Sequence, residues 1–532
     1  KILRRGAADE KGAAVGFAEC PQDASCRDEK AWFVFFPYSI SRRALGRCAA
    51  HFCAEEGNMS LKFCKKAWVC LLAAPFFVVS FAGLASCKRE EERPAYHISA
   101  EYVPAAGILY GEMTVEVVNL SEEPKEEVQF ALYPNAFRED APCPPLPEAY
   151  FSAAYYEGES LGGIDVRELT GAKAWEVPEG GEALTVTLPE PRAPGGKAQL
   201  SMKFEVMLPK MNFRLGIGEH TVNLAHFFPV LAEEPPAFSS VGDPFPAERA
   251  DYTFSLTAPA SYSIICGFEG ETAEHNGRKT LSVQAQNVRE VAFVLAEGMT
   301  CTEGEADGTP VEYWHFRKDA SAELFAAAGS LSYFCKQFGG YAYPKYVVVE
   351  TDLPLGGSEQ TALSLVSSSL RGDDLAAAVV HETAHQWWYA MAGSDEVRSA
   401  WLDEGLAEYS TALYFGAAGG RYREHISAAE GRYRAFVSVR EQLSDTADTS
   451  MDRPLSAFSG AYEYRSIVYD KSVILFDRLH EVLGDKLISG LRRCFSAAKG
   501  KTFTPEMLVS SLSSGVDVSG IFTSFREGTC VI

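Results

Sequence analysis

Hydrophobic and polar positions along this chain follow two different periods. From Tyr96 to about residue 300 the dominant period is two. Tyr96 to Tyr102, Gly111 to Val118, Leu184 to Leu188 and Leu200 to Val206 show apolar residues alternating with polar ones. Such alternation marks strands with one buried face. Breaks rich in Pro and Gly, such as 189–196, separate the runs. Many short strands with such turns predict an antiparallel sandwich or saddle. Composition changes near Thr300. Val311 to Phe316 and Tyr346 to Glu350 read as further strands, and Ala320 to Phe338 as a helix ended by Gly339-Gly340. Helices are also expected from Leu375, from about Val397 to Phe415, over 430–445, and from Tyr462 through Leu475, Leu479 and Leu483. The expected fold class is therefore α+β and multidomain, with a β domain over 96–300 and a mainly helical domain over 301–532.

One stretch of the helical part carries chemistry. His381-Glu382-Thr383-Ala384-His385 reads H-E-x-x-H. Residues four apart on a helix share a face, so both imidazoles point the same way. Two neutral imidazoles suit Zn²⁺, and a catalytic zinc needs a third protein ligand and one open position for water. Glu404, nineteen residues after His385 in Trp401-Leu402-Asp403-Glu404-Gly405, is the candidate third ligand. Glu382 sits beside the histidines, placed to take a proton from the attacking water. Asp373 or Asp374 is expected to cap the first helix and Gly393 to end it. Trp387, Trp388 and Trp401 are expected to line a site that restricts water.

H-E-x-x-H followed by this glutamate resembles the gluzincin peptidases, and HETAHQWW with WLDEGLAEY resembles the M1 aminopeptidase family in particular. Three weaker pieces agree. ALYPNAF (Ala131 to Phe137) and NVREVAFVL (Asn287 to Leu295) are similar to the N-terminal domain of M1 enzymes. Gly356-Gly357-Ser358-Glu359-Gln360 matches the family's G-x-M-E-N motif except for Ser358 and Gln360. Tyr469-Asp470-Lys471-Ser472 fits Y-x-K-G except for Ser472. The resemblance implies a thermolysin-like catalytic domain and one Zn²⁺ per chain on His381, His385 and Glu404. It further implies catalysis by Glu382, an oxyanion donor in Tyr469, and Glu359 with Gly356 and Gly357 binding the substrate's free amine. Tyr462 and Tyr464 compete with Tyr469 for its role, although only Tyr469 has Lys two positions on. Glu408 is a candidate to orient a ligand imidazole. Peptides are the implied substrates. Two rivals remain open, an endopeptidase and a lipoprotein that binds peptides without catalysis.

The start of the chain bears on location. At 532 residues with a net charge of −23, of which the first 87 residues carry +4, the body is acidic and argues against nucleic acid as a partner. Residues 1–58 show no sustained period and four scattered cysteines, and read as upstream sequence rather than as a small cysteine-rich module. From Met59 a basic stretch (Lys62, Lys65, Lys66), an apolar run from Ala67 to Gly83 and Leu84-Ala85-Ser86-Cys87 form a secretory signal over 59–87. Leu-Ala-Ser-Cys resembles the bacterial lipobox, with Cys87 the lipidated residue. An uncleaved membrane anchor is the alternative, marginal in length and interrupted by Pro75. Residues 88–95 read as a tether. The expected location is the bacterial cell envelope, on the outer side of the cytoplasmic membrane. Export permits disulfides among Cys143, Cys266, Cys301, Cys335, Cys494 and Cys530 without specifying any pairing.

Overall fold

The computed structural model describes residues 92–529, apart from 233–235, 237, 246–247, 355, 444–446 and 514. The expected upstream sequence, the export signal with Cys87, and Cys530 lie outside the described residues.

The period-two runs form strands, each longer than its pattern suggested: Ala95–Val103, Ile108–Val118, Ala183–Arg192 and Lys197–Met207. Three of them belong to a seven-stranded sheet ordered Gly270–His275, Arg278–Val288, Ala250–Pro259, Ala95–Val103, Ile108–Val118, Lys197–Met207, Gly163–Thr170. The sheet is not wholly antiparallel, because Ala95–Val103 pairs in parallel with Ala250–Pro259. That pairing joins strands about 150 residues apart, so no hairpin turn dictates their relative direction. Two four-stranded sheets cover the buried face, and Phe130, Phe204, Phe227 and Phe254 fill the core between them.

A five-stranded mixed sheet begins at Thr300, where the composition shifts. Its order is Thr300–Ala306, Thr309–His315, Tyr346–Thr351, Leu363–Ser367, Gly357–Gln360. The helices that follow are α1 (Ser321–Phe338), α2 (Gly372–His385), α3 (Glu396–Gly419), α4 (Tyr422–Gln442), α5 (Ser472–Leu483), α6 (Lys486–Ala498), α7 (Pro505–Leu512) and α8 (Ser519–Arg526). Their apolar faces close a second core. The β-rich and helical parts belong to one compact unit.

Three local expectations are corrected. Neither Asp373 nor Asp374 caps α2: Arg371 holds the cap position without a side-chain bond, and both aspartates sit in the first turn. There they still favour the helix through its dipole. Gly393 does not end α2, which passes at His385 into a π-helical turn, Gln386–Met391. Gly393 is glycine for a packing reason, since a Cβ there would meet the Arg289 guanidinium 2.0 Å away. The tryptophans do not line the cleft. Trp387, Trp388 and Trp401 are fully buried in the helical core, with indole N–H groups donated to Gly339 O, Ser410 Oγ and Asp452 Oδ1. Cys143, Cys266, Cys301, Cys335 and Cys494 are free thiols. No described helix is long and apolar enough to cross a membrane.

Candidate active site

Two pairs of residues spaced i and i+4 face each other across the packed helices α2 and α3. His381 and His385 project from α2, Glu404 and Glu408 from α3. His381 Nε2 lies 3.1 Å from Glu404 Oε2 and 3.0 Å from His385 Nε2, and His385 Nε2 lies 3.3 Å from Glu404 Oε2. All three side chains are buried or nearly so, and their converging atoms can share one ion.

The chain orders these side chains by local means. Asp395 caps α3 by accepting from the N–H groups of Val397 and Arg398 at 3.1 Å, and Gly420 ends it with a left-handed φ of 71°. Each imidazole is also fixed from behind. His381 Nδ1 is 3.0 Å from Glu408 Oε2, and His385 Nδ1 is 2.7 Å from Asp403 Oδ1. A carboxylate on the second ring nitrogen sets the tautomer and leaves Nε2 free to ligate.

The donor set suits Zn²⁺: two imidazoles and one carboxylate on a common point, with room left by the cleft for a fourth ligand. The electrostatics agree. Burial opposes charge on His381, yet its hydrogen bonds to Glu404 and Glu408 raise its pKa to about 10. Burial likewise opposes charge on Glu404, yet the two imidazoles hold its carboxyl well below the usual range. The pocket thus stabilises positive charge at the spot a dication would fill.

Glu382 and Glu359 approach from the other side, both within ligand reach of His385. Glu359 rides on the edge strand Gly357–Gln360, antiparallel to Leu363–Ser367 with Glu359 opposite Ser364. Gln386, the residue after His385, clamps the turn of this hairpin. Its amide donates to Gln360 O at 2.9 Å, and its Oε1 accepts from Ala362 N at 2.9 Å. Ala362 there has a φ of 62°, a conformation costly to anything but glycine unless the surroundings impose it. Burial, with nearby carboxylates, raises Glu359 to about 7 and Glu382 to about 8. Among the described residues no Lys or Arg pairs with Glu359. Ser358 and Gln360, the two departures from G-x-M-E-N, bond to each other at 2.9 Å. Gly356 lines the cleft with open space where a Cβ would be, and its carbonyl accepts from Ser367 N at 3.0 Å.

Tyr469 lies in a second π-helical turn, Arg465–Lys471, just before α5. π-turns recur at functional sites because they re-aim side chains within a continuous helix. The Tyr469 hydroxyl donates to Glu404, and its ring stacks 5.9 Å from that of His381. Tyr462, by contrast, is 54% exposed. The turn comes close to α3 because Gly405 lacks a side chain: a Cβ there would sit 2.4 Å from Ser472 Cβ.

Residues of the β-rich part seat this machinery and escaped the sequence reading as individual roles. Glu290 accepts from Thr361 N, beside the hairpin turn, and from Tyr389 OH at 2.9 Å. Arg289 forms a buried ion pair with Glu396 at 2.8 Å and lies 4.4 Å over the Tyr389 ring. Arg249 donates to the carbonyls of Ala390 and Met391. Asp403 was missed too, although its place directly before Glu404 was a visible hint. A cleft of about 580 Å³ runs past the site, lined by Leu146, Tyr150, Phe213 and Arg214 on the β side and by Tyr464, Arg465 and Tyr469 on the helical side.

Comparison with known proteins agrees with this geometry. The peptidase family M1 domain matches residues 323–525. No curated protein sequence matches the chain. Among solved structures, an M1 zinc metallopeptidase from Deinococcus radiodurans is similar at 17% identity and a TM-score of 0.59, over 83% of this chain and 94% of that one. A mutant M1 zinc metallopeptidase from the same organism, bound to a Tyr-Ser-Ala substrate, is similar at 17% identity and a TM-score of 0.58, over 83% and 94%. A two-domain M1 zinc metallopeptidase mutant bound to L-tryptophan is similar at 16% identity and a TM-score of 0.59, over 83% and 96%. With this domain, this fold and a buried two-histidine, one-glutamate cluster, the chain is a metallopeptidase of family M1.

Proposed function

We propose that the chain is a zinc aminopeptidase that removes N-terminal residues from peptides. His381, His385 and Glu404 would hold one Zn²⁺, which supplies an electrophile that polarises the scissile carbonyl and acidifies water. Glu382 accepts a proton from the attacking water and returns it to the leaving amine. Its pKa near 8, raised by burial, suits a group that must both take and give a proton around neutrality. Tyr469 offers its hydroxyl to the oxyanion of the tetrahedral intermediate. Glu359 receives the substrate's protonated α-amine.

The observation that carries the exopeptidase reading is Glu359 itself, a buried carboxylate beside Glu382 and His385 with no basic side chain paired to it. Burying a carboxylate alone is costly, and a ligand ammonium group relieves that cost. The test pairs a substrate change with an enzyme change. Peptides with a free N-terminus should be cleaved with a kcat/KM roughly 10²-fold or more above their N-acetylated forms. Glu359→Ala should close most of that gap by hitting free-amine substrates alone. Equal cleavage of both forms by the unmutated enzyme would make it an endopeptidase.

We also propose that the enzyme works outside the cytoplasmic membrane, held by lipid on Cys87. The support is the export pattern over 59–87. Expressed from Met59, the protein should take up fatty-acid label, and Cys87→Ala should end the labelling. Soluble, unlabelled product from the unmutated sequence would sink the proposal.

A further inference from the structure

One hydroxyl in the cleft has no role in the mechanism above. Tyr464 is 6% exposed and lines the cleft, and its hydroxyl oxygen is buried without a hydrogen-bond partner. Its ring is held on two sides, edge-on to Phe458 at 5.2 Å and to Tyr469 at 6.0 Å. The hydroxyl abuts a loop of the β-rich part at Gly242, where a Cβ would lie 2.7 Å from it. Gly242 has a φ of 67°, and the missing side chain leaves the hydroxyl its space. Leaving a buried hydroxyl unpaired costs stability, whereas Phe would fill the same volume without that cost. Tyr469 differs, because its hydroxyl is engaged by Glu404.

We infer that Tyr464 is a substrate-binding residue, its hydroxyl donating to a main-chain carbonyl of the bound peptide. The inference rests on the cleft being the peptide site. The geometry suits the task. The ring is locked by its aromatic neighbours, so the donor is aimed before substrate arrives and little freedom is lost on binding. The surrounding charge also suits it. Burial first, then the carboxylates of Glu404, Asp403 and Glu359, push the phenol pKa well above its ordinary value, so the group stays a donor across the working range. A peptide carbonyl is the acceptor that every peptide brings, whatever its side chains.

Tyr464→Phe removes the hydroxyl alone. Two measurements on the zinc-loaded enzyme test the inference: affinity for a phosphinic pseudodipeptide with a free amine, and the thermal midpoint. Affinity should fall about tenfold, the size of one neutral hydrogen bond, while Tm holds or rises because an unpaired buried group has gone. The kcat/KM for peptides should fall by a similar factor. Unchanged affinity overturns the inference. So does a Tm that falls alongside the affinity, since the hydroxyl would then hold the fold rather than the ligand. The aminopeptidase reading fails separately: an unmutated enzyme that binds the pseudodipeptide but cleaves blocked peptides as well as free ones refutes that reading and leaves Tyr464 to be judged on affinity.

Discussion

Gly357 rests directly against the carboxylate of Glu382. A Cβ at 357 would lie 2.3 Å from Glu382 Oε1 and 2.5 Å from Cδ. The substrate-binding strand and the proton-transfer group are thus in contact, and the absence of one side chain sets the position of the other. Gly357→Ala should therefore displace Glu382 while leaving the three metal ligands alone. A general base moved by about 1 Å costs on the order of 10²-fold in turnover. The expected result is full zinc content with kcat reduced by roughly that factor. Wild-type kcat in this variant would mean that Glu382 does not work from the position it holds here.

The carboxylates behind the imidazoles predict a graded effect on metal binding. His381→Ala or Glu404→Ala should abolish bound zinc, because two ligands hold the ion poorly. Asp403→Asn and Glu408→Gln keep the ligands but lose the acceptor behind each ring, and should weaken zinc by about 10–100-fold. Asp403 should matter more, since its side chain is 3% exposed against 27% for Glu408. Competition with a chromogenic chelator reads both. A larger loss at Glu408 would reverse that ranking.

Tyr469 and Tyr462 separate cleanly. Tyr469→Phe should lower kcat by roughly 10²–10³ with zinc retained, the size of one lost oxyanion donor. Tyr462→Phe, at a largely exposed position, should leave kcat within twofold of wild type. Steady-state kinetics with metal analysis on both variants decides the assignment, and the opposite pattern would move the role to Tyr462.

The buried pair Arg289–Glu396 predicts a stability effect distinct from chemistry. Burial raises the Glu396 pKa well above its usual value, and Arg289 is the main group opposing that rise. Arg289→Leu would strand the carboxylate, costing about 3–5 kcal/mol. The double variant Arg289→Leu with Glu396→Leu should recover much of that loss, because no lone charge remains. Denaturant unfolding of the three proteins checks this. Additive losses in the double variant would show that the pair is not the coupled unit.

Much of this protein is determined by short-range sequence. Period two between 96 and 300 is enough for strands, because a strand with one buried face must alternate. H-E-x-x-H on a run of helix formers is enough for two imidazoles on one face, because 3.6 residues per turn leaves no other outcome. Glu404 and Glu408 follow from the same rule on the next helix. Helix lengths and the start of the second sheet near Thr300 were legible for the same reason.

What the tertiary structure decided involves partners far apart in the chain. Ala95–Val103 meets Ala250–Pro259 in parallel, a direction no local pattern encodes. The tryptophans beside the site motif turned into the core, because apolar bulk goes where most area is buried and proximity in sequence does not choose the face. Which of three tyrosines meets Glu404 depended on a π-turn that re-aims Tyr469 and on the close approach of α5 at Gly405. The contacts of Glu290 with Thr361 and Tyr389, and of Arg289 with Glu396, join residues 70 to 107 positions apart. Periodicity reports which side of an element is buried. Only the packed chain reports what it is buried against.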